Sequence, residues 1–117
     1  MSEIIVEGGP PPIPRERVID LIRSYLGGTE VIRAFLFGSY ATGLADATSD
    51  VDLLLVEPVQ IPFTERGRTH LPLFRMGFGL DLLIYTPEEF QHLMREGNPL
   101  IERVCREGIE IYARSEG

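Results

Sequence analysis

The chain has 117 residues, and eighteen acidic residues against eleven basic ones leave a formal net charge of −7. All eleven basic residues are arginine; lysine and tryptophan are absent. A chain this short, 44% apolar, buries one modest core, which excludes a multidomain or disordered protein, and its acidity excludes a broad basic surface for nucleic acid.

Residues 1–14 read as an extended N-terminal arm, and residues 15–117 as a single domain. In the arm, Ile4-Ile5-Val6 form either a short strand or a loose segment, and Gly8-Gly9 with Pro10-Pro11-Pro12-Ile13-Pro14 make a stiff connector. Its role stays open between adding a strand to a partner, packing a homodimer and remaining a tail. Between Arg15 and Leu26 the apolar residues Val18, Ile19, Leu21, Ile22, Tyr25 and Leu26 recur at three- and four-residue spacings, predicting a helix with Pro14 at its start and Gly27-Gly28 at its end. Val31 to Phe37 is a buried strand closed by Gly38, and Asp50 to about Glu57 a second one ended by Pro58. Residues 58–79 are the least regular, with a short helix expected around Thr64 to Leu71 between Pro62 and Pro72.

Leu80 to Tyr85 makes a third strand. Thr86-Pro87-Glu88-Glu89 carries a helix start: Thr86 as N-cap, Pro87 in the first turn, Glu89 placed to close a capping box. That helix runs to about Glu96, Asn98-Pro99 opens another through Arg106, and Ile109 to Tyr112 is a last strand. Helices interleaved with strands give an α+β fold, an α/β sandwich with a small mixed sheet packed against helices. The lone Cys105 excludes an intrachain disulfide and is expected as a small buried group; His70 and His92 are expected to be structural. No basic segment followed by an apolar stretch opens the sequence, and no apolar run reaches the ~18 residues of a bilayer span, so the expected location is the cytoplasm.

Chemistry concentrates in two stretches. In a strand, residues two apart share a face, so Asp50 and Asp52 present both carboxylates together while Val51 and Leu53 point away. Leu54 and Val56 continue the carboxylate face, confining polarity to one strand end, as a site at the edge of a buried sheet requires. Asp81, near the start of the third strand, adds another carboxylate in the same pattern, with Leu83 and Tyr85 following on its face. Close carboxylates repel, and a divalent cation compensates them. With oxygen ligands only, Mg²⁺ or Mn²⁺ is favoured over zinc, held as two ions or as one with a carboxylate left to deprotonate a hydroxyl. Gly38-Ser39, where the first strand turns into a short helix, offers backbone N–H groups and a hydroxyl to a phosphate.

Gly38-Ser39, Gly43 and Ser49-Asp50-x-Asp52-Leu53-Leu54 resemble the signature of the minimal nucleotidyltransferases of the DNA polymerase β superfamily. Asp81 within Leu80–Phe90 resembles that family's third carboxylate strand, and Glu107–Tyr112 its terminal strand, so the likeness covers roughly residues 15–113. The resemblance implies the polymerase β-like fold. It implies that Ser39 and the backbone at Gly38 bind the β,γ-phosphates of a nucleoside triphosphate. It further implies that Asp50 and Asp52 ligate two Mg²⁺ ions, and that Asp81 binds the second and activates the acceptor hydroxyl. One departure is Thr42, where family members often carry arginine; Arg33, Arg66, Arg68 and Arg75 are the remaining candidates to meet phosphate charge, against a plain solvated or salt-bridged role.

Minimal members of the family pair with helical HEPN toxins and AMPylate them. The resemblance therefore implies a Mg²⁺-dependent transfer of AMP from ATP to a hydroxyl of a HEPN-type partner, the chain acting as antitoxin. With no acceptor-binding domain in view, the acceptor is expected as a separate molecule. The alternatives are a non-catalytic binding antitoxin or scaffold, and transfer to a small molecule. Neither nucleic acid nor a membrane is an expected partner.

Overall fold

The computed structural model describes residues 12–114. The strand expected at Ile4–Val6 and the first part of the connector lie outside the described residues. Pro14, at φ −58° and ψ 142°, has the expected extended conformation and leads into helix α1, Arg15–Leu26. Then follow β1 (Arg33–Phe37), the one-turn helix α2 (Ser39–Thr42), β2 (Val51–Val56), a 3-10 segment (Phe63–Arg75), β3 (Leu80–Tyr85), α3 (Pro87–Arg95), α4 (Pro99–Glu107) and β4 (Ile109–Ala113).

The four strands form one sheet in the order β3-β2-β1-β4, mixed as expected. β1 runs antiparallel to both neighbours, and β2 runs parallel to β3. β2 is central and almost wholly apolar after Asp52, because both of its faces are covered: Leu53, Leu54 and Leu55 are all fully buried. Alternate residues serve different layers. Val51, Leu53 and Leu55 pack with Val18, Ile22 and Leu26 of α1 and with Leu73 of the 3-10 segment. Leu54 and Val56, with Phe35 of β1, pack against Phe90 of α3 and against Ile101 and Val104 of α4.

Both C-terminal helices start as their sequences prescribe. Thr86 Oγ1 accepts from the Glu89 N–H, and the Glu89 carboxylate accepts from the Thr86 N–H, completing the capping box. Asn98 Oδ1 accepts from the N–H groups of Leu100 and Ile101. Val104 faces the core, so Cys105, one residue on around the helix, faces outward; its thiol is exposed, correcting the expectation of a buried group.

The irregular stretch departs most from expectation. Helical turns continue past Leu71 to Arg75, as 3-10 helix, with a break at His70 (φ −129°, ψ 44°). His70 is held there from two sides. Its Nε2 lies 2.6 Å from the Glu57 carboxylate and its Nδ1 2.5 Å from the Tyr25 hydroxyl. Burial and the Glu57 charge push the Tyr25 hydroxyl pKa up. This chain of three polar groups, with Glu57 and His70 buried and Tyr25 half-buried, fastens the segment to α1 and to the end of β2 and gives His70 a structural role. No helix among the described residues is long and apolar enough to cross a membrane.

Candidate functional site

The expected site residues gather at one end of the sheet. Asp52 pairs in register with Asp81 across the parallel β2–β3 junction and with Phe37 across β2–β1. The parallel register puts the two carboxyl-bearing residues side by side. Burial first, then the nearby charges of Asp81 and Asp50, raises the Asp52 carboxyl above the ordinary aspartate range. Phe37 is followed by Gly38, and a methyl group there would lie 2.1 Å from Asp52 Oδ2. The glycine is also required by its backbone, at φ 71° and ψ −152°. Asp52 thus leans directly on the turn that leads into α2.

Asp50 immediately precedes β2 and packs over Gly79, where a methyl group would lie 2.0 Å from its Oδ1. The loop before it is shaped by Asp46, whose carboxylate accepts from the N–H and hydroxyl of Thr48 at 2.9 and 2.7 Å and from the Ser49 hydroxyl. Those bonds hold the Asp46 carboxyl below the usual range and account for it within the loop. Among the described residues, no three His, Cys, Asp or Glu side chains stand close enough to hold one ion as they are. Asp52 and Asp81 converge as a pair, and Asp50 sits one step back along the strand. The donor set still fits a hard divalent cation: carboxylate oxygens only, two of them crowded enough to raise a pKa.

Ser39 opens α2, and the turn closes on itself: the N–H groups of Ala41 and Thr42 bond the Gly38 carbonyl at 3.0 and 3.2 Å, and that of Leu44 bonds the Ser39 carbonyl at 3.0 Å. Gly43 ends it with φ 83°. The first N–H groups of such a turn have no acceptor within it.

Of the four arginines considered for phosphate, three are committed elsewhere. Arg33, at the far end of β1 from Gly38, forks onto Glu110 at 2.8 and 3.2 Å. Arg66 is buried, with Glu89 at 2.6 Å and the carbonyls of Ile61 and Ile84 at 3.0 Å, and this pairing holds the Glu89 carboxyl low. Arg68 pairs with Glu65 in the same 3-10 segment. Arg15 of α1 does reach the turn, donating to the carbonyls of Tyr40 and Ala41 at 3.2 and 3.0 Å. No local pattern announces it, since it lies 25 residues before its first partner. Arg15, Ser39 and Gly43 line one groove of about 200 Å³. A separate apolar recess of about 300 Å³, between Phe63, Tyr85 and Leu93, lies at the other end of β3 from Asp81.

Comparison with known proteins bears on the fold and the family. A Sulfolobus solfataricus protein assigned as a nucleotidyltransferase superposes with a TM-score of 0.59 at 17% identity, over 89% of this chain and 84% of its own. A toxin-antitoxin structure with AMP-PNP gives 0.56 at 18% identity, over 88% and 76%. A complex of a tri-AMPylated Shewanella oneidensis HEPN toxin with its MNT antitoxin gives 0.55 at 15%, over 86% and 73%. These likenesses establish the fold, a small mixed sheet with helices of the polymerase β-like type. No curated protein matches the chain. Residues 17–117 match the sequence model of the family described as "Polymerase beta, Nucleotidyltransferase". Because that match runs from α1 through β4, the chain belongs to the polymerase beta nucleotidyltransferase family.

Proposed function

We propose that the chain transfers AMP from ATP to a hydroxyl of a separate HEPN-type protein and thereby acts as its antitoxin, with residues 15–117 as the transferase domain and residues 1–14 as an arm. The observation carrying this reading is the Asp52–Asp81 pair, set in register beside the Gly38 turn. Likeness to MNT antitoxins seen with AMP-PNP or with an AMPylated HEPN toxin supports the nucleotide and the partner.

Asp50, Asp52 and Asp81 would hold Mg²⁺ or Mn²⁺, two ions in the full site. When bound, the metal would supply charge neutralisation for the carboxylates and the phosphates. The chain's own residues position the reactants. Ser39 and the backbone at Gly38 hold the β,γ-phosphates, and the rigid turn fixes their distance from Asp52. Asp81, at the exposed edge of the sheet, accepts the proton of the acceptor hydroxyl. The hydroxyl oxygen then bonds to the α-phosphorus, the bond from that phosphorus to the bridging oxygen breaks, and pyrophosphate leaves with the electron pair.

Incubating the protein with α-labelled ATP, Mg²⁺ and the product of the adjacent gene tests the reading. Label is expected on the partner, and none with the Asp50→Ala/Asp52→Ala variant. Equal labelling by that variant contradicts it, as does an unlabelled partner. Neutralisation of the partner in cells by the same variant would favour antitoxin action through contact alone.

A further inference from the structure

Between Arg33 and Arg66 the sequence has no basic residue, but it has Asp46, Asp50 and Asp52 ahead of and at the start of β2. The turn and its aspartates therefore lie in a stretch with no cation of its own, and Asp81 adds a further negative charge from β3. A polyphosphate approaching Gly38-Ser39 meets this field. The fold brings Arg15 to it. Arg15 reaches over from α1 to α2, with the carbonyls of Tyr40 and Ala41 at 3.2 and 3.0 Å, and shares a groove with Ser39 and Gly43 as well as with the acidic Glu16.

Its position in α1 argues for a task at the turn. Arg15 is the first residue of that helix, where a positive charge opposes the helix dipole. The side chain reaches away to the last turn of α2, which has no basic residue of its own. Its hydrogen-bond partners among the described residues are neutral carbonyl oxygens, so the contact places the guanidinium without cancelling its charge against a carboxylate.

We infer that Arg15 is the cation of the polyphosphate subsite: anchored through one nitrogen to α2, it offers its charge to the β,γ-phosphates held at Ser39. This rests on the nucleotide reading above and adds a residue from a different element to it. Arg15 also steadies the turn, so the test must separate charge from tethering.

Binding of Mg²⁺-ATP, Mg²⁺-tripolyphosphate and AMP is measured by calorimetry for wild type, Arg15→Gln and Arg15→Lys, with thermal melts alongside. Arg15→Gln is expected to weaken ATP and tripolyphosphate by about tenfold, the scale of one lost charge-assisted contact, and to leave AMP unchanged. Arg15→Lys is expected to recover most of that affinity, and added salt to narrow the gap between wild type and Arg15→Gln. Unchanged ATP affinity in Arg15→Gln overturns the inference while leaving the nucleotide reading standing. Equal loss in both variants, together with lowered melting temperatures, also overturns it, because the residue is then only a tether. Wild-type protein that takes up neither ATP nor tripolyphosphate overturns the nucleotide reading and this inference with it.

Discussion

Asp52→Asn is expected to lower nucleotidyl transfer by at least about a thousandfold, the scale of losing several kcal/mol of metal-based charge stabilisation, and at the same time to raise the melting temperature of the metal-free protein. The opposite signs have one cause. In the fold, burial and the charges of Asp81 and Asp50 hold the Asp52 carboxyl above the ordinary aspartate range. Between the unfolded value and this raised one, the folded chain binds more protons than the unfolded chain, so stability falls as pH rises through that window. The penalty is absent below the unfolded pKa and complete above the folded one. Asparagine keeps the shape and removes the charge. Its melting curves in EDTA should therefore be flatter with pH than those of wild type, and higher at neutral pH. Mg²⁺ should raise the melting temperature of wild type more than that of the variant. A variant that melts lower than wild type at neutral pH in EDTA would contradict this account of the Asp52 environment.

Gly38→Ala is the second large effect. Alanine at φ 71° is strained, and its methyl group would meet Asp52 Oδ2 at 2.1 Å, with the Asp52 Cγ at 3.0 Å just behind. The conformational strain alone is worth about 1–3 kcal/mol, and overpacking adds about as much again. Relief requires moving either the turn or Asp52. A displacement of about 1 Å at either costs roughly a hundredfold in rate. Chemical denaturation should show the stability loss and the transfer assay the rate loss. Gly43→Ala is the control. It carries similar strain at φ 83° but meets nothing within 4 Å, so it should lose stability with a smaller loss of rate.

The contrast between these two glycines shows what could be read from the chain before its fold. A glycine before Ser39 marks a turn, but contact with a carboxylate fourteen positions later depends on the β1–β2 register. The alternation Asp50-Val51-Asp52 and the run Leu53–Val56 were legible because strand geometry is local and β2 is buried on both faces. That Asp81 also lies on a strand was legible; that it stands level with Asp52 was not, since the parallel register is set by packing between distant segments. Capping residues such as Thr86 and Asn98 announced their helices for the same local reason. Arg15 and His70 were illegible as partners. Their contacts with α2, Tyr25 and Glu57 span loops in which neither spacing nor composition encodes distance. Cys105 shows the opposite error: an apolar-seeming residue inside an amphipathic helix lies one position beyond the buried stripe.

Asp50, Asp52 and Asp81 are proposed to form together a divalent-metal site serving a nucleotide held at Gly38-Ser39. The most direct measurement is a Mn²⁺ titration followed by electron paramagnetic resonance, with a non-hydrolysable ATP analogue present. Wild type, Asp52→Asn and the Asp50→Asn/Asp52→Asn/Asp81→Asn variant are compared after melting curves confirm that each is folded. Protein-bound Mn²⁺ is expected in wild type, weakened by the single change and lost in the triple one. Mn²⁺ held as tightly by the folded triple variant as by wild type would contradict the proposed site.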